Sequence, residues 1–140
     1  MNNYFSDAEL FAQCTPDERH DCCLNYKDNM EKTIALANKV RETYGSPIQV
    51  NSFFRSKEHN ARVGGAPTSQ HLEAGAIDLA PLASDHAKNP LHNALTIFNA
   101  CKYLIRKGRA GFGQVILYPT FVHISIDRGS HHNQLIRKLG

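Results

Sequence analysis

The sequence predicts an α+β fold in which a small antiparallel sheet of about four strands carries helices packed on it. Three observations lead there. Residues 25–44 and 91–107 repeat apolar side chains at helical spacing. Residues 48–54, 75–80, 114–118 and 121–127 are short runs rich in β-branched and aromatic side chains, as strands are. The two kinds follow one another in mixed order, with no internal repeat, linker or low-complexity run between them. Residues 1–140 therefore read as one domain, with residues 1–25 as an N-terminal helix and loop packed on it.

Taken in order, Ser6-Asp7-Ala8-Glu9 is a capping box and starts a short helix at Asp7. A loop is expected around Thr15-Pro16-Asp17. The helix over 25–44 buries Met30, Ile34, Ala37 and Val40 and stops at Gly45-Ser46-Pro47. Ser56 is placed to cap a short helix through Val63, and Gly64-Gly65-Ala66-Pro67-Thr68 is a loop. In the helix over 91–107 the expected inner stripe is Leu91, Leu95, Phe98, Cys101 and Ile105. A glycine-rich turn, 108–113, leads to the last two strands, joined through Tyr118-Pro119-Thr120.

Composition narrows the function. The chain is 41% hydrophobic, yet nothing approaches the roughly 18 uninterrupted apolar residues of a membrane span. Its start lacks the basic and apolar regions of a signal peptide, so synthesis in the cytoplasm is expected. Net charge is +3 and is not gathered in one run. Lys102, Arg106, Lys107, Arg109, Arg137 and Lys138 can form a mildly basic surface that favours an anionic polymer. No aromatic-interleaved basic stretch or nucleic-acid motif is present to support binding of DNA or RNA, so no nucleic-acid partner is expected. Cys14, Cys22, Cys23 and Cys101 include no Cys-x-x-Cys pair and read as reduced packing residues, with a bridge from Cys14 to Cys22 or Cys23 as the alternative.

Ser69-Gln-His-Leu-Glu-Ala-Gly-Ala-Ile-Asp78 carries the chemistry. It sets His71 and Asp78 seven residues apart, and Phe121-Val-His-Ile-Ser125 supplies His123. Strand alternation puts Ile77 and Leu79 on one face and Asp78 on the other, with Ala76 and Ala80. Likewise Val122, Ile124 and Ile126 face away from His123, Ser125 and Asp127. Small neighbours thus leave room for a cleft beside both polar residues. Two imidazoles and a carboxylate suit zinc, and three protein ligands leave a position for water, the pattern of a catalytic rather than a structural site.

The wider run, Val50-Asn-Ser-Phe-Phe-Arg55-Ser56, Asn60-Ala-Arg-Val63-Gly64-Gly65, Ser69-Gln-His71 through Asp78, and Val122-His123, closely resembles the zinc D-Ala-D-Ala carboxypeptidase family, particularly its small bacterial and phage members. The resemblance covers roughly residues 47–127. It implies a hedgehog/DD-peptidase-like fold, with Zn2+ held by His71, Asp78 and His123. It implies that Arg55 binds substrate and steadies the oxyanion, and that Ser69 orients ligand or substrate. It also implies a monomer acting on peptidoglycan stem peptides, as carboxypeptidase or endopeptidase. A phage lysis enzyme of this kind would reach the wall through a separate membrane pore.

The departure from the family lies in the general base. Relatives carry a carboxylate three residues before the third ligand or two after it, positions held here by Thr120 and Ser125. Asp127, Glu73, His131 and His132 are the remaining candidates, and the sequence does not choose among them. That gap keeps a second reading open: a catalytically silent zinc-binding module, as in the similarly folded hedgehog signalling domain.

Overall fold

In the computed structural model, which describes residues 3–91 and 93–139, side-chain alternation along the strands organises the molecule. Strand β1 (Ile48–Ser52) pairs antiparallel with β2 (Ala76–Pro81), and β2 pairs antiparallel with β4 (Val122–Ser125). Next, β3 (Gln114–Leu117) runs antiparallel to β4, and β5 (Gln134–Arg137) runs parallel to β3. The order is β1-β2-β4-β3-β5. The α+β class is as expected, but the sheet is mixed and has a fifth strand beyond the four expected. Gln134–Arg137 shows no clean alternation and little burial, so its pairing is set by β3 rather than by its own pattern.

One sheet face is the core. Ile77, Leu79, Val115, Leu117, Val122 and Ile124 are buried under α3 (Lys27–Tyr44) and α6 (Ala94–Arg106), and Val50 of β1 is buried in the same core. Each such side chain contributes about 1.5–3 kcal/mol relative to exposure. Helix α3 ends where predicted: Gly45, at φ 85°, caps it in the left-handed region that costs glycine little.

Helix α6 begins at Ala94, capped by Asn93, later than expected. Its buried stripe is Ala94, Ile97, Phe98, Cys101 and Leu104, while Leu91 and Leu95 are exposed. The stripe is rotated because Leu91 precedes the helix and sets no phase for it. His92, inside the predicted helix, lies outside the described residues. Strand β1 is also shorter than predicted. Its register with β2 shifts between Val50 and Ser52, and Phe53 and Phe54 leave the ladder to be buried in the core. Strand β4 likewise stops at Ser125, short of the expected Asp127. The four cysteines are thiols, with Cys22 and Cys101 buried, Cys14 partly buried and Cys23 exposed. Burial pushes the Cys22 thiol up to about 12.

Helix α1 (Asp7–Leu10) has the predicted capping box. The expected loop after it is instead the entry to α2 (Pro16–Asn25), which carries a second capping box: Thr15 Oγ1 accepts from the Glu18 amide, and Glu18 accepts from the Thr15 amide. Pro16 at its first position fits a helix start. Short helices α4 (Lys57–Arg62) and α5 (Ala83–Lys88) complete the layer, α4 capped by Ser56 as predicted and α5 not anticipated.

Glu18 does more than cap. It is buried, and its carboxylate accepts from the Ser56 amide at 3.0 Å and from His59 Nδ1 at 2.8 Å, tying α2 to the start of α4. Burial raises its pKa, but the Ser56, Thr15 and His59 hydrogen bonds outweigh it and hold the carboxyl down at about 2. A carboxyl depressed this way contributes stability at neutral pH that is lost as pH falls through the range from its ordinary 4.5 toward about 2. Glu18→Gln is expected to lower the melting temperature at pH 7 and to flatten the acid side of the stability curve. Thermal melts of both proteins between pH 7 and about pH 2 check it; parallel curves would mean the tie contributes nothing.

Candidate metal centre

The polar face of the sheet carries a row of side chains set by register. Ser52 pairs with Asp78, Asp78 with His123, and His123 with Ile116. Because facing residues of neighbouring strands lie about 5 Å apart, one carboxylate and one imidazole meet as a consequence of pairing alone. His71 arrives from the 3-10 turn Gln70–Glu73, whose first amides are ordered by Ser69: its Oγ accepts from the His71 amide at 3.2 Å. Ala74 ends that turn at φ 57° and leads straight into β2.

The three groups converge. His71 Nε2 stands 3.2 Å and His123 Nδ1 2.9 Å from Asp78 Oδ1, and one donor atom from each residue lies within 4.8 Å of the others. Ligand atoms ~2.0–2.1 Å from a tetrahedral zinc lie roughly 3.3 Å apart, so the spacing fits the ion. The tautomer fits as well. His71 Nδ1 is 2.5 Å from the Phe53 carbonyl, which can only accept, so Nδ1 carries the hydrogen. In neutral His71 the Nε2 lone pair then faces a carboxylate oxygen, an arrangement that calls for a cation between them. Burial works against the Asp78 charge, but the His123 and His71 rings that face its Oδ1 outweigh it, His123 first, and hold the carboxyl below its usual range.

Arg55 meets the other carboxylate oxygen. Its Nη2 is 3.7 Å from Asp78 Oδ2, while Nε donates to Ser52 Oγ at 3.0 Å and Nη1 to Asn60 Oδ1 at 3.2 Å. Two donors thus fix the guanidinium plane and turn the third corner toward the centre. Asn60 is a residue that sequence reasoning missed as a functional one, although it opens the Asn-x-x-Val-Gly-Gly segment. It is buried, receives Arg55 on Oδ1, and donates through Nδ2 to the Ala66 carbonyl at 2.8 Å. Gly65 has to be glycine here: a Cβ would stand 2.0 Å from Asn60 Oδ1 and 2.9 Å from Arg55 Nη1.

His71, Asp78, His123 and Arg55 line a cleft of about 560 Å³. One wall is the backbone of Gly64, Gly65 and Ala66; another includes Tyr118 and Phe121, stacked at 4.5 Å. A larger hollow of about 750 Å³ between α3 and α6 contains none of the predicted site residues.

The structure also sorts the candidate bases. Glu73 turns away to an ion pair with Arg128, and Asp127 accepts from His132 Nδ1 at 2.7 Å and the Gly129 amide at 2.9 Å. Ser125 Oγ is occupied by the Gln114 amide, and Thr120 is exposed. Of the four candidates only His131 lines the cleft. Among the described cleft-lining residues, Asp78 is the sole carboxylate.

A family model described as Peptidase M15 matches residues 3–125. The chain belongs to the peptidase M15 family. The match begins well before residue 47, where the resemblance read from the sequence starts. A search among curated proteins found none that matches. As an M15 member the chain is a metallopeptidase, and the His71–Asp78–His123 group is where this M15 chain can hold a metal ion.

Proposed function

We propose that this M15 peptidase is zinc-dependent and hydrolyses an amide bond in peptidoglycan stem peptides. One observation carries the reading: a His-Asp-His group on the floor of an open cleft, with an arginine fixed beside its carboxylate. His71, Asp78 and His123 would hold the zinc, which when bound would supply a Lewis acid and an activated water. Arg55 offers Nη2 to the carbonyl oxygen as negative charge develops there, and Ser52 and Asn60 keep it from swinging to solvent. The Gly64, Gly65 and Ala66 edge presents no side chain beyond a methyl, so an extended peptide can lie close against it. Tyr118 and Phe121 supply an apolar wall that shields the reacting bond from bulk water.

The experiment is a digest of purified peptidoglycan with zinc-loaded protein, with products identified by mass. Release of D-alanine marks a carboxypeptidase and an internally cut stem an endopeptidase; a chelator should stop either. Glycan strands should stay intact, since among the described residues no second carboxylate lines the cleft to form a glycosidase pair. That same lone carboxylate favours the silent zinc-binding module as second reading. No broken peptide bond in walls of several chemotypes, with zinc still bound, would establish it instead.

A further inference from the structure

We infer that His131 is the proton carrier of the reaction, in the role a second carboxylate would fill, since Asp78 is the sole carboxylate among the described cleft-lining residues; this rests on the peptidase reading above. Strand order gives the first argument. Arg55 follows β1 and His131 precedes β5, while β2 and β4, which carry Asp78 and His123, lie between them, with β3 next to β5. The ligand row is therefore flanked by a fixed cation on one side and an imidazole on the other. A carbonyl oxygen directed to Arg55 leaves the amide nitrogen on the His131 side, as general acid–base catalysis requires.

The second argument is how the loop is held. Residues 127–133 cross from β4 to β5 pinned at both ends. At the start, Asp127 takes the Gly129 amide and His132 Nδ1. At the end, Asn133, at φ 47°, donates its amide to the Phe112 carbonyl at 2.6 Å and accepts the Phe112 amide on Oδ1 at 2.8 Å. The Gln134 amide then bonds the Gly113 carbonyl at 3.0 Å, and Gln114 Nε2 donates to Gln134 Oε1 at 2.9 Å. His132 is consumed in holding this loop. Its neighbour His131, half-buried, is left lining the cleft. Imidazole is also the side chain whose ordinary range best suits both accepting and returning a proton near neutrality.

The step balances as a hydrolysis. A ring nitrogen of His131 takes a proton from the attacking water as its oxygen bonds to the carbonyl carbon. The imidazolium returns that proton to the amide nitrogen as the C–N bond breaks, leaving a carboxylic acid and an amine.

The test compares wild type, His131→Gln and His131→Ala by zinc content, by KM and kcat on a soluble stem peptide, and by pH profile. Both variants should bind one zinc as wild type does and keep KM within about threefold, while kcat falls roughly 10²–10⁴-fold. The acid limb of the kcat/KM profile should vanish, and added imidazole should restore part of the His131→Ala rate. Variants with wild-type kcat overturn the inference while the peptidase reading stands. Variants that lose zinc overturn it too, by making His131 a metal-holding group. A zinc-loaded wild type that cuts no stem peptide removes the peptidase reading and the inference together.

Discussion

Replacing His71 with alanine is expected to abolish zinc binding and, with it, essentially all peptide hydrolysis. The imidazole is fully enclosed, its Nδ1 bound to the Phe53 carbonyl and its Nε2 aimed at Asp78. Nothing else in the described structure can replace it, because the only three-residue metal group found among the described residues includes it. Two ligands hold zinc far less well than three, and loss of the ion removes several kcal/mol of transition-state stabilisation, or about 10³-fold or more in rate. His123→Ala should behave alike. Metal analysis after dialysis and a stem-peptide assay check both. Full zinc occupancy in either variant would mean that the ion sits elsewhere.

The reach of the sequence differs between these ligands and their supports. Asp78 and His123 were legible because period-two alternation assigns each to the face opposite Ile77, Leu79, Val122 and Ile124, and register then joins them. His71 was legible through its spacing from Asp78, which is one turn and a short strand. Their supports were not. The Phe53 carbonyl that sets the His71 tautomer belongs to a residue that reads as plain core. Asn60 reads as a polar helix residue, and only the folded chain brings its amide between Arg55 and Ala66. Nor could charge type choose among Glu73, Asp127, His131 and His132, since what separates them is an Arg128 ion pair and a loop tie.

The fold was readable where one local signal dominated and not where signals competed. The Ser6 box and the Gly45 stop held because capping chemistry is local. Helix α2 was missed although Thr15-Pro16-Asp17-Glu18 carries the same box, because its polar composition hides any apolar stripe and Thr-Pro-Asp is also turn chemistry. Strand β5 was missed for another reason. Parallel pairing with β3 links residues 20 apart, as Gln114 with Gln134, and no local pattern announces a partner across an intervening strand. That strand matters to the site, since it fixes the end of the loop bearing His131.

Arg55→Ala is expected to keep zinc and lose roughly 10²–10³-fold in kcat. The guanidinium touches only one oxygen of Asp78, at 3.7 Å, and both histidines approach the other oxygen, so removing it leaves the metal group assembled. Catalysis is another matter. Its side chain is 14% exposed, and in such a setting a fixed cation stabilises developing charge far better than a mobile solvated one. The substitution also strands the Ser52 and Asn60 oxygens, so a stability loss of about 1–3 kcal/mol should accompany it. Arg55→Lys separates the two effects. Lysine keeps the charge but cannot form the Nε and Nη1 bonds that fix the plane, so it should recover part of the stability and little of the rate. Zinc content, thermal melts and kcat against KM on one stem peptide decide it. Wild-type kcat in Arg55→Ala would show that the arginine only braces the Ser52–Asn60 wall, and that the oxyanion is met by the ion alone.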